Sequence, residues 1–319
     1  MNSRVSKLQN KIKFSIFHLN IRSLNKNYRE VYTLLCSLDV HFDVIVLSEI
    51  WSVNLNLFAN IFPGYSFYYD APTSGNVGGV GVYVKSCYTC NVINELKVEN
   101  SDSNKVENIW IEISDNSYKC IIGAFYRHPN SDIQDFSTLF EHSLSTISKN
   151  NIPCFIAGDF NIDLGKYKTH TATTDYVNML LTNNFLPNIV MPTRITDCSA
   201  TIIDHVYYYE GIYSKKNFQV NSGNIWSDIT DHLPNFMLLV TSNDSINIRT
   251  INRPLIRLLS PKNINKFCSS VRAINWEDVL AQDSVEGSYA AFETKINHCY
   301  NSSFPLVHLS RKRYKDKNG

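Results

Sequence analysis

Apolar residues over the first 240 positions fall in short runs with two distinct periods. Phe14 to Asn20 is a mostly apolar alternating run, and Gly78–Val84 and Asn108–Ile113 alternate clearly, as half-buried strands do. Asp43–Ser48 is a short β-branched run read as a central strand ending at Glu49. Lys119–Tyr126, Cys154–Ala157, Thr201–Tyr209 and Asn235–Val240 are further strands. Helical spacing appears at Tyr32, Leu34, Leu35 and Leu38, and again over Tyr176–Phe185. It is clearest at Phe136, Leu139, Phe140, Leu144 and Ile147, closed by Lys149 and Pro153. Strands in neighbouring hairpins with helices interspersed predict an α+β fold, a sandwich of two sheets flanked by helices. Beyond about residue 242 the character changes. Polar Ser242–Ile246, then Pro254 and Pro261, precede helical stretches to Tyr300 and a basic end, Arg311–Lys317. The expected division is a domain over 13–242 and a linker with helical appendage over 243–319.

Composition adds little to that picture. A chain of 319 residues with 44% hydrophobic and 18% charged residues can bury a large core, and 12% aromatic residues suits sheets. The formal net charge of +1 announces no nucleic-acid binder, so attraction to phosphate has to be local. The eight cysteines include one C-x-x-C, Cys87 and Cys90, without a second pair at zinc spacing, and read as reduced structural thiols. Reduced thiols point to a nuclear or cytoplasmic protein. Residues Met1–Lys13 are polar and basic rather than an apolar leader, and no apolar run reaches membrane-spanning length. No membrane partner is expected, and oligomeric state is not legible.

The polar residues at the strand ends carry the chemistry. Asn20, Glu49, Asp159, Asn161 and Asp204 lie at or just beyond the ends of apolar runs or within them, and Asp231-His232 precedes the last run. Strands delivering several carboxylates to one rim imply a counter-cation, and an oxygen-rich set favours Mg²⁺ or Mn²⁺ over zinc.

The order of these motifs is more specific than any one of them. Phe17-His-Leu-Asn20-Ile-Arg-Ser-Leu, Leu47-Ser-Glu49-Ile-Trp, Tyr126-Arg-His-Pro129, Gly158-Asp-Phe-Asn161, Thr201-Ile-Ile-Asp204-His and Thr230-Asp-His232-Leu-Pro follow one another. The series resembles the endonuclease/exonuclease/phosphatase superfamily, and in detail the apurinic-endonuclease-like domain of non-LTR (LINE-type) retrotransposons. The resemblance implies a four-layer α/β/β/α sandwich of two mixed β-sheets with a C-terminal helical appendage. It implies Glu49, Asn20 and Asp231 as metal residues and Asp159 as the group orienting or deprotonating water. Asn161 and Tyr126 become phosphate contacts, and His232, paired with Asp204, a base or transition-state stabiliser. Glu107 matches an acidic position of such domains. Thr230 stands where the family usually has Ser, and keeps the hydroxyl. Arg22, Lys26, Arg127, Arg194, Lys166 and Lys168 lie close to these motifs and are candidates for a phosphate track. His18 and His128 match no partner pattern and read as surface or core residues.

The activity so implied is Mg²⁺-dependent nicking of one strand of duplex DNA, leaving a 3′-hydroxyl that could prime reverse transcription. The partners would be DNA and a reverse transcriptase domain or element RNA. A phosphomonoesterase or lipid-directed phosphodiesterase is the competing enzyme, and a non-catalytic captured domain the competing class.

Overall fold

The computed structural model describes residues 12–38, 40–52, 54–73, 75–115, 118–211, 218–241, 255–257 and 260–308. The N-terminal basic stretch up to residue 11, the linker at 242–254 and the basic end Arg311–Lys317 lie outside the described residues. The chain divides into two compact units, residues 1–243 and 244–319.

Six strands build the first sheet of the larger unit. They are β1 (Ile12–Asn20), β2 (Val44–Ser48), β3 (Tyr65–Asp70), β4 (Val80–Lys85), β13 (Phe218–Asn224) and β14 (Asn235–Thr241), in the spatial order β13-β14-β1-β2-β4-β3. The second sheet holds β5 (Thr89–Val92), β6 (Val106–Ser114), β7 (Lys119–Arg127), β8 (Cys154–Asp159), β9 (Leu186–Pro187) and β12 (Asp204–Tyr209), in the order β5-β6-β7-β8-β12-β9. A small hairpin, β10 (Arg194–Thr196) and β11 (Ser199–Thr201), stands apart. Both sheets are mixed, because β1 runs parallel to β2 and β7 parallel to β8 while the other pairs are antiparallel.

Alternation decides the layers. Phe14, Ile16, Val44 and Val46 from one sheet interdigitate with Ile111, Ile122, Phe155 and Val206 from the other in a core between the sheets. The opposite faces are covered by helices. Helix α1 (Leu24–Ser37) packs Leu24 and Val31 over Phe17 and Leu47. Helices α2 (Ile133–Asn150) and α3 (Thr171–Thr182) pack Phe136, Phe140, Tyr176 and Leu180 over Phe125, Ile156 and Tyr207. The order is therefore helix, sheet, sheet, helix.

Helix α1 starts eight positions before the Tyr32 read from the sequence, and its buried residues are Leu24, Asn27 and Val31. The sheet supplies the missing support, since Ser23 and Leu24 N–H bond the carbonyls of Glu49 and Ile50. Helix α3 ends at Thr182 rather than Phe185, where Asn184 turns left-handed at φ 61°. The smaller unit contains α4 (Pro261–Arg272), α5 (Glu277–Leu280), α6 (Val285–Ser303) and a short pair, β15 (Leu255–Arg257) with β16 (Leu306–His308). Pro261 sits in the first turn of α4, whose N-cap Ser260 accepts from Asn263 N–H. Trp276 stacks on Phe292.

Candidate active site

Topology alone gathers the polar ends. Parallel pairing puts the C-termini of β1 and β2 side by side, with Asn20 opposite Ser48, and likewise those of β7 and β8, with Tyr126 opposite Asp159. The antiparallel neighbours begin where these end, so that Asp204 faces Asp159 and Asn235 faces His18. One rim of the sandwich thus collects residues from both sheets. Gly158 allows this closeness, because a Cβ there would lie 2.1 Å from the Phe125 carbonyl oxygen. Beyond the strands the chain turns through left-handed residues at Glu49 (φ 54°) and Asn161 (φ 49°), a conformation uncommon for non-glycine residues and more so for Glu than for Asn.

The Asn20 amide bridges two acids, its Nδ2 donating to Glu49 Oε1 at 2.8 Å and to Asp159 Oδ2 at 2.7 Å. Its own oxygen accepts the Arg22 N–H at 3.2 Å. Asp159 is held at both oxygens, the second by the Asn161 N–H at 3.0 Å. The Asn161 amide donates to the Arg127 carbonyl at 2.7 Å, which fixes its orientation at the turn. His232 Nδ1 lies 2.8 Å from Asp204 Oδ2, and the same oxygen accepts from Thr193 Oγ1 at 2.7 Å. With Nδ1 committed to Asp204, Nε2 is the nitrogen left to address a substrate. Tyr126 is buried beside Glu49, Asp159 and Glu107.

Burial makes these charges costly. Desolvation, aided by the Asp204 carboxylate, pushes the Asp159 carboxyl up from 3.8 to about 7. Burial also opposes charge on Asp204 and His232, yet their attraction prevails. Asp204 stays below its usual range and the His232 imidazole rises from 6.5 to about 9. Burial of the Tyr126 phenol, with carboxylates around it, drives its ionisation far upward.

A hard divalent cation fits this donor set. Ligand atoms of Asp159 and Asp204 lie within 4.8 Å of one another, and Asp204 Oδ1 is buried without a hydrogen bond, while His232, an imidazolium paired with Asp204, would be a neighbour of the ion and not a ligand. Glu49 adds a further carboxylate through Asn20, so three acids share the pocket with one imidazole.

The site residues read from the sequence divide into two sets. Asn20, Glu49, Asp159, Asn161, Asp204, His232 and Tyr126 gather on the rim. Asn20 meets the acids with its NH₂ rather than the oxygen a metal would require. Asp231, expected as a metal residue, turns both oxygens to arginines instead, Arg22 Nη1 at 3.0 Å and Arg194 Nε at 2.8 Å. Those arginines and His232 outweigh burial and hold the Asp231 carboxyl below its usual range. Arg127 is not on a phosphate track. It is fully buried, and its guanidinium binds the carbonyls of Phe160, Asn161 and Ser131, so it shapes the turn that carries Asn161.

Three residues escaped the sequence reading. His18 is fully buried, and burial keeps its imidazole neutral. It donates through Nδ1 to Asn235 Oδ1 at 3.0 Å and accepts from Ser48 Oγ at 2.8 Å. Ser48 Oγ in turn accepts the Asp159 N–H at 3.2 Å. The clue was its place two residues before Asn20 on one strand, which puts both on one face. His128 pairs with buried Glu107 through Nε2 at 3.0 Å, and Thr73 and Gly79 complete the shell of that acid. Nothing in the local sequence singled out Thr193, the clasp on Asp204.

Residues 16–232 match the endonuclease/exonuclease/phosphatase family. No curated protein matches the chain. Among solved structures the fold is similar to the endonuclease domain of TRAS1, a telomere-specific non-LTR retrotransposon. Identity there is 10% over 71% of this chain and 98% of that one, at a TM-score of 0.54. It is also similar to D. rerio TDP2 complexed with a single-strand DNA product, at 12% identity, 72% and 99% coverage and a TM-score of 0.54. The mannosyl-6-phosphatase of Bacteroides thetaiotaomicron has 14% identity, 72% and 100% coverage and a TM-score of 0.52. A family match over more than half the chain and two six-stranded mixed sheets flanked by helices lead to one conclusion: this chain belongs to the endonuclease/exonuclease/phosphatase family.

Proposed function

We propose that the protein is a Mg²⁺- or Mn²⁺-dependent endonuclease that nicks one strand of duplex DNA and leaves a 3′-hydroxyl. The observation that carries the reading is the buried rim cluster, Glu49, Asn20 and Asp159 beside the Asp204–His232 pair. A divalent cation, which Glu49 and the acids beside it would hold, would supply charge neutralisation at the phosphate.

Each side chain then has a task in attack by water on phosphorus. Asp159, held at both oxygens by Asn20 and Asn161 and poised near neutrality, takes the proton of the attacking water. His232, cationic at neutral pH, offers Nε2–H to the charge that grows on the phosphoryl oxygens, while Asp204 and Thr193 fix its ring. The second N–H of the Asn161 amide and the Tyr126 hydroxyl then donate to the same phosphate. The P–O3′ bond breaks, and the departing oxygen becomes the 3′-hydroxyl after picking up a proton from water.

Two features support DNA over a small phosphate ester. Trp226, 83% exposed, stands in the same loop as His232 and offers a flat apolar face on which a base can stack. Arg22 and Arg194 place positive charge next to His232. Likeness in fold to the TRAS1 endonuclease domain accords with this. The remaining partners in the reading are a reverse transcriptase domain and element RNA, to which the 3′-hydroxyl would be handed. The test is conversion of supercoiled plasmid to open circles with Mg²⁺, set against Glu49→Ala and Asp159→Ala. Plasmid left intact by the wild type, with inositol phosphates or sphingomyelin hydrolysed instead, would overturn it.

A further inference from the structure

Arg22, Asp231 and Arg194 form a unit that the mechanism above leaves unused. One carboxylate sits between two guanidiniums, Arg22 Nη1 on Oδ1 and Arg194 Nε on Oδ2, so the trio carries one positive charge in excess. The side chains are 39%, 25% and 35% exposed for Arg22, Asp231 and Arg194, open enough to be reached from solvent. A guanidinium has five N–H donors. Those not spent on Asp231 have no partner among the described residues, and the Nε of Arg22 is buried without one.

The trio is mounted on the loops that build the catalytic rim. Arg22 donates its backbone N–H to the Asn20 side chain, and Arg194 pairs as an isolated bridge with His232. Ile195 N–H bonds the Asp231 carbonyl at 3.1 Å. The backbone at Arg22 is also unusual, since Arg22 (φ 45°) and Ser23 (φ 88°) are consecutive non-glycine residues in positive φ. Hydrogen bonds from Ser23 N–H to the Glu49 carbonyl and from Leu24 N–H to the Ile50 carbonyl hold them there. Strain of this kind persists where surroundings over-determine it, at ligand clamps among other places. Here it aims Arg22 at Asp231.

We infer that Arg22 and Arg194, set in place by Asp231, clamp a backbone phosphate next to the one that is cut. Two forked cations with donors to spare match the oxygens of a phosphodiester, and the excess charge matches its single negative charge. Asp231 acts as a positioning residue: it fixes the two forks at one spacing. This rests on the endonuclease reading, since the second phosphate is the neighbouring one of a polynucleotide backbone.

The experiment compares Arg22→Gln, Arg194→Gln and the corresponding Lys variants with wild type on two substrates. One is a duplex oligonucleotide, and the other is bis(p-nitrophenyl) phosphate, which has a single phosphate. Each Gln variant is expected to raise KM for the duplex about 10-fold with little change in kcat. It should also lower the slope of log affinity against log salt by about 1, the mark of one lost phosphate contact. The ratio of kcat/KM on duplex to that on the small diester then falls in step. Lys variants, which keep the ion pair but not the fork, are expected between, with the same melting curve as wild type. Equal losses on both substrates, or an unchanged salt slope, overturn the clamp. Wild-type protein that hydrolyses the small diester but neither cuts nor binds duplex overturns the endonuclease reading itself, and that result is obtained before any variant is made.

Discussion

Replacing Asp204 with Asn probes the charge relation on which the site is built. The carboxylate lies 2.8 Å from His232 Nδ1 and is the main influence raising that imidazole from 6.5 to about 9. That rise corresponds to about 3 kcal/mol of preference for imidazolium. An amide of the same shape removes it, and burial pulls the ring lower still. At pH 7.5 the cationic fraction of His232 is expected to fall from nearly all to about a tenth or less. Thr193 Oγ1 can still donate to the Asn oxygen, so local packing should survive. Losing a charged donor at the phosphoryl group costs about 10²–10⁴ in rate. Two measurements are needed: single-turnover cleavage of a labelled duplex, and an NMR titration of the His232 Cε1–H resonance in metal-free protein. The titration does not depend on activity. A ring in Asp204→Asn that still titrates near 9, or a cleavage rate within threefold of wild type, refutes the reasoning.

Further outcomes follow from other parts of the structure. Mg²⁺ at about 100 times its Kd should stabilise the protein by about 2.7 kcal/mol, about 5–10 °C in melting temperature, and Glu49→Gln should lose most of that shift. In metal-free protein, ionising buried Asp159, whose pKa is raised from 3.8 to about 7, costs stability as pH climbs through that window. Asp159→Asn should therefore be the more stable protein at pH 8, by about 1–3 kcal/mol in urea unfolding, while inactive. His18→Leu leaves Ser48 and Asn235 without their buried partner and should cost about 2–4 kcal/mol by the same measurement. Gly158→Ala drives a Cβ into the Phe125 carbonyl and should cost more than about 3 kcal/mol, or prevent folding.

Much of the fold was legible because its central strands are short, mostly apolar runs that a folded chain buries. Phe14–Asn20, Asp43–Ser48 and Cys154–Ala157 belong to this class. The edges were not legible. β3 is half-buried along its length and β13, with the sequence Phe-Gln-Val-Asn-Ser-Gly-Asn, is too polar to read as a strand. It pairs because β14 presents a free edge. In the site, motif order marked the acids, since Glu49, Asp159 and Asp204 each lie at or next to one end of a strand. What each side chain grips depends on partners far away in sequence. Asp231 looked like the acids beside it, and only the arrival of Arg22 and Arg194 gives it another occupation. Arg127 looked like a surface cation, yet backbone carbonyls from two turns, Phe160 and Asn161 after β8 and Ser131 after β7, draw it inside. Thr193 had no local mark because its contact, Asp204, is made across the gap between the β10–β11 hairpin and β12.

The path of the chain has a last consequence. It builds most of the first sheet, leaves to build the second, and returns to finish the first, pairing Ile16 with Met237. Strand β1 therefore waits through nearly the whole synthesis of the larger unit for its second neighbour, and so long-range a closure is a slow step in folding. The returning hairpin is also what carries His232. A ribosome-bound or truncated chain that stops at the end of β13 holds Glu49, Asp159 and Asp204 but not His232, so the rim is complete only with the final stitch of the fold.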